Sequence, residues 1–186
     1  MERRPLAGRA PAPDSQYPSA PMWNARRILR ELADTDRRRQ VLTAFWKHAD
    51  TNSKLMAQMQ LAKALHFRDE TIRRMPPEKK ADLLASRIGA PDFDQFLEIA
   101  LMAYHTHERN AMMAAYLDHW KVPHENGSIE SDDYTPPNAD SVREAVRAFE
   151  GQHDRRDVVL YLASAGLLMG DAWAAGVWPV VDEMIA

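Results

Sequence analysis

From Trp23 onward the apolar residues recur every three or four positions, the spacing of a helix that buries one face. Asn24 can cap a first helix, with Trp23 placed to staple onto Ile28 and with Ile28, Leu29 and Leu32 as its inner stripe. Asp34-Thr35-Asp36 can cap a second, carrying Val41, Leu42, Phe45 and Trp46. A third is predicted to start at Ser53, with Leu55, Met59 and Ala62 on one side. Pro76-Pro77 followed by Glu78 is a helix-start signal before Leu83, Leu84 and Ile88, and Gly89 and Pro91 stop that helix. Asp92 with Gln95 resembles a capping box ahead of Phe93, Phe96, Leu97, Leu101 and Tyr104. Met112/Met113, Tyr116/Leu117 and Trp120 mark the next helix, which Val122-Pro123 ends. Residues 122–138 read as one long loop, after which Val142, Val146 and Phe149 resume the helical spacing.

Between Val158 and Met169 only Ser164 is polar, and Gly166 is the one weak point. That run is too short to span a bilayer and predicts a helix buried on all sides at the centre of the fold. The last segment, with Trp173, Trp178, Val181 and Ile185, is predicted to be helical but broken at Gly176 and Pro179. No stretch alternates with period two for long enough to argue a sheet. The expected fold is therefore all-α: one domain over residues 22–186, with about eight to ten helices packed as antiparallel helical hairpins, as a bundle or a short helical-repeat-like stack. Residues 1–21 are expected to be a disordered Pro-rich tail, since Pro5, Pro11, Pro13, Pro18 and Pro21 stand among small and polar residues.

An acid followed by Arg precedes an apolar helix three times, at Asp36-Arg37-Arg38, Glu108-Arg109 and Asp154-Arg155-Arg156. Each looks like the turn of a hairpin, and each acid also opposes the dipole at a helix start. The spacings are too uneven for a strict repeat.

Composition narrows the chemistry. There is no cysteine, which removes disulfides, thiolate nucleophiles and iron–sulfur ligation and fits a cytoplasmic protein. Neither a phosphate-cradling glycine loop nor a nucleophile elbow occurs. Ten methionines and five tryptophans predict a core of large, partly adaptable side chains. The net charge of −3 conceals a gradient. Residues 1–50 carry ten Lys and Arg against six acids, whereas residues 101–150 carry four against nine. A charge-polarised surface of this kind steers charged partners or favours head-to-tail contact.

Candidate chemistry gathers at His105, His107, His119 and His124, followed by Glu125, Glu130, Asp132 and Asp133. His107 and His119 are twelve residues apart on what reads as one helix, about 18 Å along its axis. Ligands of one metal ion must lie about 2 Å from it, so the cluster divides. One half is a turn at His105–Glu108. The other is a helix exit with Asp118, His119, His124 and Glu125. His153-Asp154 resembles the dyad of the HD-type phosphohydrolases, which are all-helical metal enzymes. With His107, that pair forms the alternative reading of a metal-dependent hydrolase.

The leading expectation is a non-catalytic protein–protein interaction or assembly protein without a cofactor. Its binding surface is the acidic loop 122–138 with Asp118, His119, His124, Glu125, Glu130, Asp132 and Asp133, which would meet a basic surface on another protein or on another copy of the chain. No membrane role is expected. Nucleic acid is disfavoured because Glu31, Asp34 and Asp36 interleave the arginines at 26, 27, 30 and 37–39.

Overall fold

Helices begin in this chain where a short polar side chain can take up the amides that a first turn leaves free. In the computed structural model, which describes residues 23–129, 131 and 133–186, five helices start this way. Asn24 caps α1 (Ala25–Glu31), Asp34 caps α2 (Thr35–His48) and Asp50 caps α3 (Thr51–Leu65). Asn138 caps α8 (Ala139–Ala148) and Asp154 caps α9 (Arg155–Leu168). The start predicted at Ser53 therefore moves back to Asp50, whose carboxylate accepts from the amides of Asn52 and Ser53 and from the Ser53 hydroxyl. Pro77 opens α5 (Pro77–Ala85) as expected, after the short α4 (Asp69–Arg73). The capping box expected at Asp92 does not form. Pro91–Phe93 is a single 3₁₀ turn that runs into α6 (Asp94–Ala103) without a side-chain cap.

Ten α-helices result among the described residues, with α7 (Asn110–His119) and α10 (Asp171–Ile185) completing the set. The predicted central helix is α9, in which every residue from Asp157 to Gly166 is buried. It packs along α10 and also meets α1 and α6, while α2 packs on α5 and α6, and α8 on α10. Gly170, at φ +87°, turns the chain between α9 and α10 and makes them an antiparallel hairpin. Elements far apart in sequence touch, as α1 touches α9, so the ten helices form a bundle rather than a stack in which each repeat meets only its neighbours.

Two predicted breaks differ in the structure. α10 is continuous through Gly176 and Pro179. Proline removes one amide donor, but the helix is held along its length by α9 and α8. Gly176 sits where the backbone carbonyl of Pro137 approaches so closely that no Cβ would fit. The glycine read as a breaker is thus a packing point. The hairpin expected at Glu108-Arg109 is also absent, because α6 and α7 make little contact with each other. Instead Tyr104–Glu108 forms a π-helical turn, closed by the Arg109 amide donating to the Tyr104 carbonyl at 3.1 Å.

The predicted loop 122–138 contains a small hairpin that the period-two reading passed over. β1 (His124–Glu125) pairs antiparallel with β2 (Ser128–Ile129) across Asn126-Gly127, both at positive φ. Asn-Gly is the strongest two-residue hairpin signal, but strands of two residues are too short to show alternation. The tail predicted at 1–21 lies outside the described residues.

Candidate functional site

Histidines 105 and 107 are adjacent but one residue, and the π turn sends them opposite ways. His105 is 3 % exposed, whereas His107 is on the surface, its ring stacked on His48 at 4.2 Å. His48 in turn bonds Glu108 at 3.1 Å. His119 packs against Phe149. His153 lies between Phe149 and Tyr116, with its Nε2 buried and unbonded. Asp154, the third residue of the hydrolase reading, caps α9 and pairs with Arg37 at 2.7 Å. His107, His153 and Asp154 thus have separate surroundings. Among the described residues, no three His, Asp or Glu side chains come together in a way that would hold a metal ion.

At the helix exit two of the grouped residues, Asp118 and His124, come together. The His124 Nδ1 accepts from the Gly127 amide at 3.1 Å, so its Nε2 carries the proton and donates to Asp118 at 3.1 Å. This His is a brace for the turn, tying the hairpin to the last turn of α7. Glu125 and Asp133 are exposed, and the backbone amide of Asp133 donates to Ser131. Glu130 and Asp132 lie outside the described residues.

The acid–Arg recurrence has a tertiary meaning. Arg37 donates to Asp157 at 2.7 Å and to Asp34 at 2.8 Å, and it pairs with Asp154. Arg156 reaches Asp34 at 3.0 Å, and Arg109 lies 3.4 Å from Asp157. The three spots that share the pattern therefore converge on one ion network joining the starts of α2 and α9 to the π turn. Burial opposes the charge on Arg37, but its bonds to Asp157 and Asp34 outweigh this and raise its pKa. Backbone amides of Arg37 and Arg156 hold the carboxyls of Asp34 and Asp154 below the ordinary carboxylate range.

Two surfaces that the sequence reading did not single out stand out in the structure. The first is α3. Leu55, Met59 and Ala62 were expected on one side of the helix, and only Ala62 of the three is buried, alongside Ala57, Gln58 and Leu61. Leu55 is 47 % exposed, Met56 49 % and Met59 58 %, with Phe67 just beyond at 44 %. α3 packs chiefly on the short α4, and no described residue covers its outer side. Every charged residue from Thr51 to Arg68 is basic, namely Lys54, Lys63 and Arg68.

The second is a cleft of about 260 Å³ between the π turn, α7, the hairpin and the second half of α9. His105 and Ser164 line it. The Ser164 hydroxyl donates to the Leu160 carbonyl at 2.7 Å, so its oxygen accepts the Nε2–H of His105 at 3.1 Å. That leaves Nδ1 of His105 as an acceptor without a partner. Burial, together with the charge of Arg109, pushes this imidazole down to about 3, and it is neutral at ordinary pH. Ser164 is no nucleophile in this setting, because its proton points along its own helix and the imidazole faces it as a donor. The signal in the sequence was Ser164 itself, a lone polar residue inside a buried run, which must find a partner.

Comparison with protein-family profiles, with characterised proteins and with solved structures finds no match for this chain. Among the described residues no helix is long and apolar enough to cross a membrane.

Proposed function

We propose that the chain is a non-catalytic assembly protein in which the outer face of α3 docks head-to-tail against the acidic face of a second copy. One observation carries this reading. Among the described residues, four of the six exposed large apolar side chains, Leu55, Met56, Met59 and Phe67, lie on α3 or just after it. Contiguous apolar surface rimmed by charge is characteristic of contact sites. The rim supplies the choice of partner. Two α3 faces would set like charges against each other, at Lys54, Lys63 and Arg68. Residues 118–140, by contrast, hold six acids against the single base Lys121 and offer the complementary sign. The acidic segment thus keeps its expected part as a binding surface, and α3 supplies the apolar centre that the acids lack.

Light scattering across protein concentration tests this. At low salt the mass should rise above the 21.2 kDa of one chain and fall back as salt screens the rim. Met59→Glu should hold the protein at the monomer mass, and Glu125→Lys should weaken association while leaving the fold unchanged by circular dichroism. A wild-type chain that stays monomeric at every concentration in low salt would overturn the proposal.

A further inference from the structure

An apolar face on α3 calls for an apolar counterpart on the acidic side of a second copy, and the cleft of about 260 Å³ lies there. Gly127, Ser128 and Ile129 of the hairpin, inside the acidic segment 118–140, form one of its walls. Leu117, also in the lining, directly precedes Asp118. Glu125 is exposed and faces Ser128 across the hairpin, so an acid stands beside the lip. Of the described lining residues only His105 can ionise near neutral pH, and burial keeps it uncharged. Among the described residues, the cleft is thus an apolar hollow with acids beside its rim.

The outer side of α3 has the inverse form. Met59, at 58 % the most exposed of its large apolar side chains, stands one turn from Leu55 on one side and one turn from Lys63 on the other. An apolar knob beside a base faces an apolar hollow beside an acid. The sizes agree as well. A dry apolar cavity of about 150 Å³ admits benzene, and a methionine side chain has fewer heavy atoms than benzene. The walls include Met102, Met113 and Met169, whose unbranched thioethers adapt to the shape of what enters. None of the elements that wall the cleft is a main packing partner of α3, which rests chiefly on α4. One copy can therefore present its knob to a neighbour while its own hollow stays open to another.

We propose, building on the assembly reading above, that the cleft beside the hairpin is the socket for Met59 of a second copy, with Lys63 of the incoming α3 paired to Glu125 at the lip. A desolvated apolar side chain at the centre and an ion pair at the edge are the usual order of a protein contact. The methionine supplies affinity, and the rim charges set the orientation in which α3 arrives.

The test mixes two full-length variants. Met59→Glu removes the knob and keeps the socket, whereas Ala165→Phe fills the socket from α9 and keeps the knob. By light scattering at low salt each alone should hold the 21.2 kDa mass of one chain. An equimolar mixture should reach twice that mass and no more, since one knob and one socket remain. With ¹³C-methyl methionine in the Met59→Glu copy only, the unlabelled partner should shift the NMR signals of Met102, Met113 and Met169. Met184, which lies outside the cleft, should stay in place. Met102→Lys, at a half-exposed position, serves as the closed socket if circular dichroism shows Ala165→Phe to be unfolded. Lys63→Glu and Glu125→Lys should each weaken association several-fold, and a chain carrying both should regain it. A wild-type chain that never associates removes the assembly reading and the socket with it. Wild-type association that the folded socket variants leave intact, a mixture that stays at the mass of one chain, or pairing that does not move the cleft methyls overturns the socket alone.

Discussion

The Nε2–H of His105 has one acceptor, Ser164, and the ring is otherwise enclosed by Tyr104 and Tyr161. A buried imidazole held this way makes stability depend on pH. In the unfolded chain the group takes a proton below about 6.5, whereas in the fold it refuses one until about 3. The contribution is therefore complete above the unfolded value and is lost progressively as pH falls towards the folded one. Between pH 7 and pH 5 the wild type should lose about 2 kcal/mol through this residue alone. His105→Leu should remove that slope, as measured by urea unfolding at the two values. The carboxyls of Asp34 and Asp154, whose pKa values are lowered, add their own acid sensitivity only below that window. Equal pH dependence in the two proteins would show that the ring is open to water.

At the scale of elements, α10 was misread as broken, and α3 shows the same limit of a hydrophobic pattern. Periodicity shows that an apolar face exists but not what covers it. Gly176 and Pro179 look like breakers in isolation, yet α10 runs straight through them against α8, α9 and the Pro137 carbonyl. Gly176→Ala should raise the intrinsic helix propensity by about 1 kcal/mol. Even so, it should lower stability overall by about 1–3 kcal/mol, because the new methyl has no space beside Pro137. Thermal unfolding decides the sign. On α3 the limit shows the other way, since Leu55 and Met59 keep helical spacing with Ala62 but turn outward. Alanines at 57 and 62 do the packing, and small residues leave little trace in a hydrophobic pattern.

At the scale of the whole molecule, the ion network of Arg37 ties α2, α9 and the π turn together. Arg37 and Asp157 are largely enclosed, and without Arg37 the Asp157 carboxylate keeps only the longer contact to Arg109 at 3.4 Å. Arg37→Leu should cost about 3 kcal/mol in urea unfolding. Arg37→Leu with Asp157→Leu should recover part of that loss, because no buried carboxylate is left unpaired. If the double variant is no more stable than Arg37→Leu, the pair is not coupled. The same network explains why the acid–Arg recurrence is uneven in sequence. Its members are selected by meeting in space, not by repeating along the chain.

The all-helical class, most of the helix starts and the central position of α9 are legible from residues alone. Caps act within one turn, and a run such as Val158–Met169 leaves no polar face to expose. The division of the histidine cluster was legible too, although the reason differs. A π turn and a break at Arg109 separate His105 and His107 from His119, where one unbroken helix was expected. Everything that bears on binding was settled by packing between distant segments. The apolar side of α3 is bare because no described helix packs over it. His105 is buried because α9 brings Ser164 across 59 residues to meet it. Local sequence sets what each helix can offer, and only the tertiary arrangement determines which offers are taken up inside and which are left for a partner.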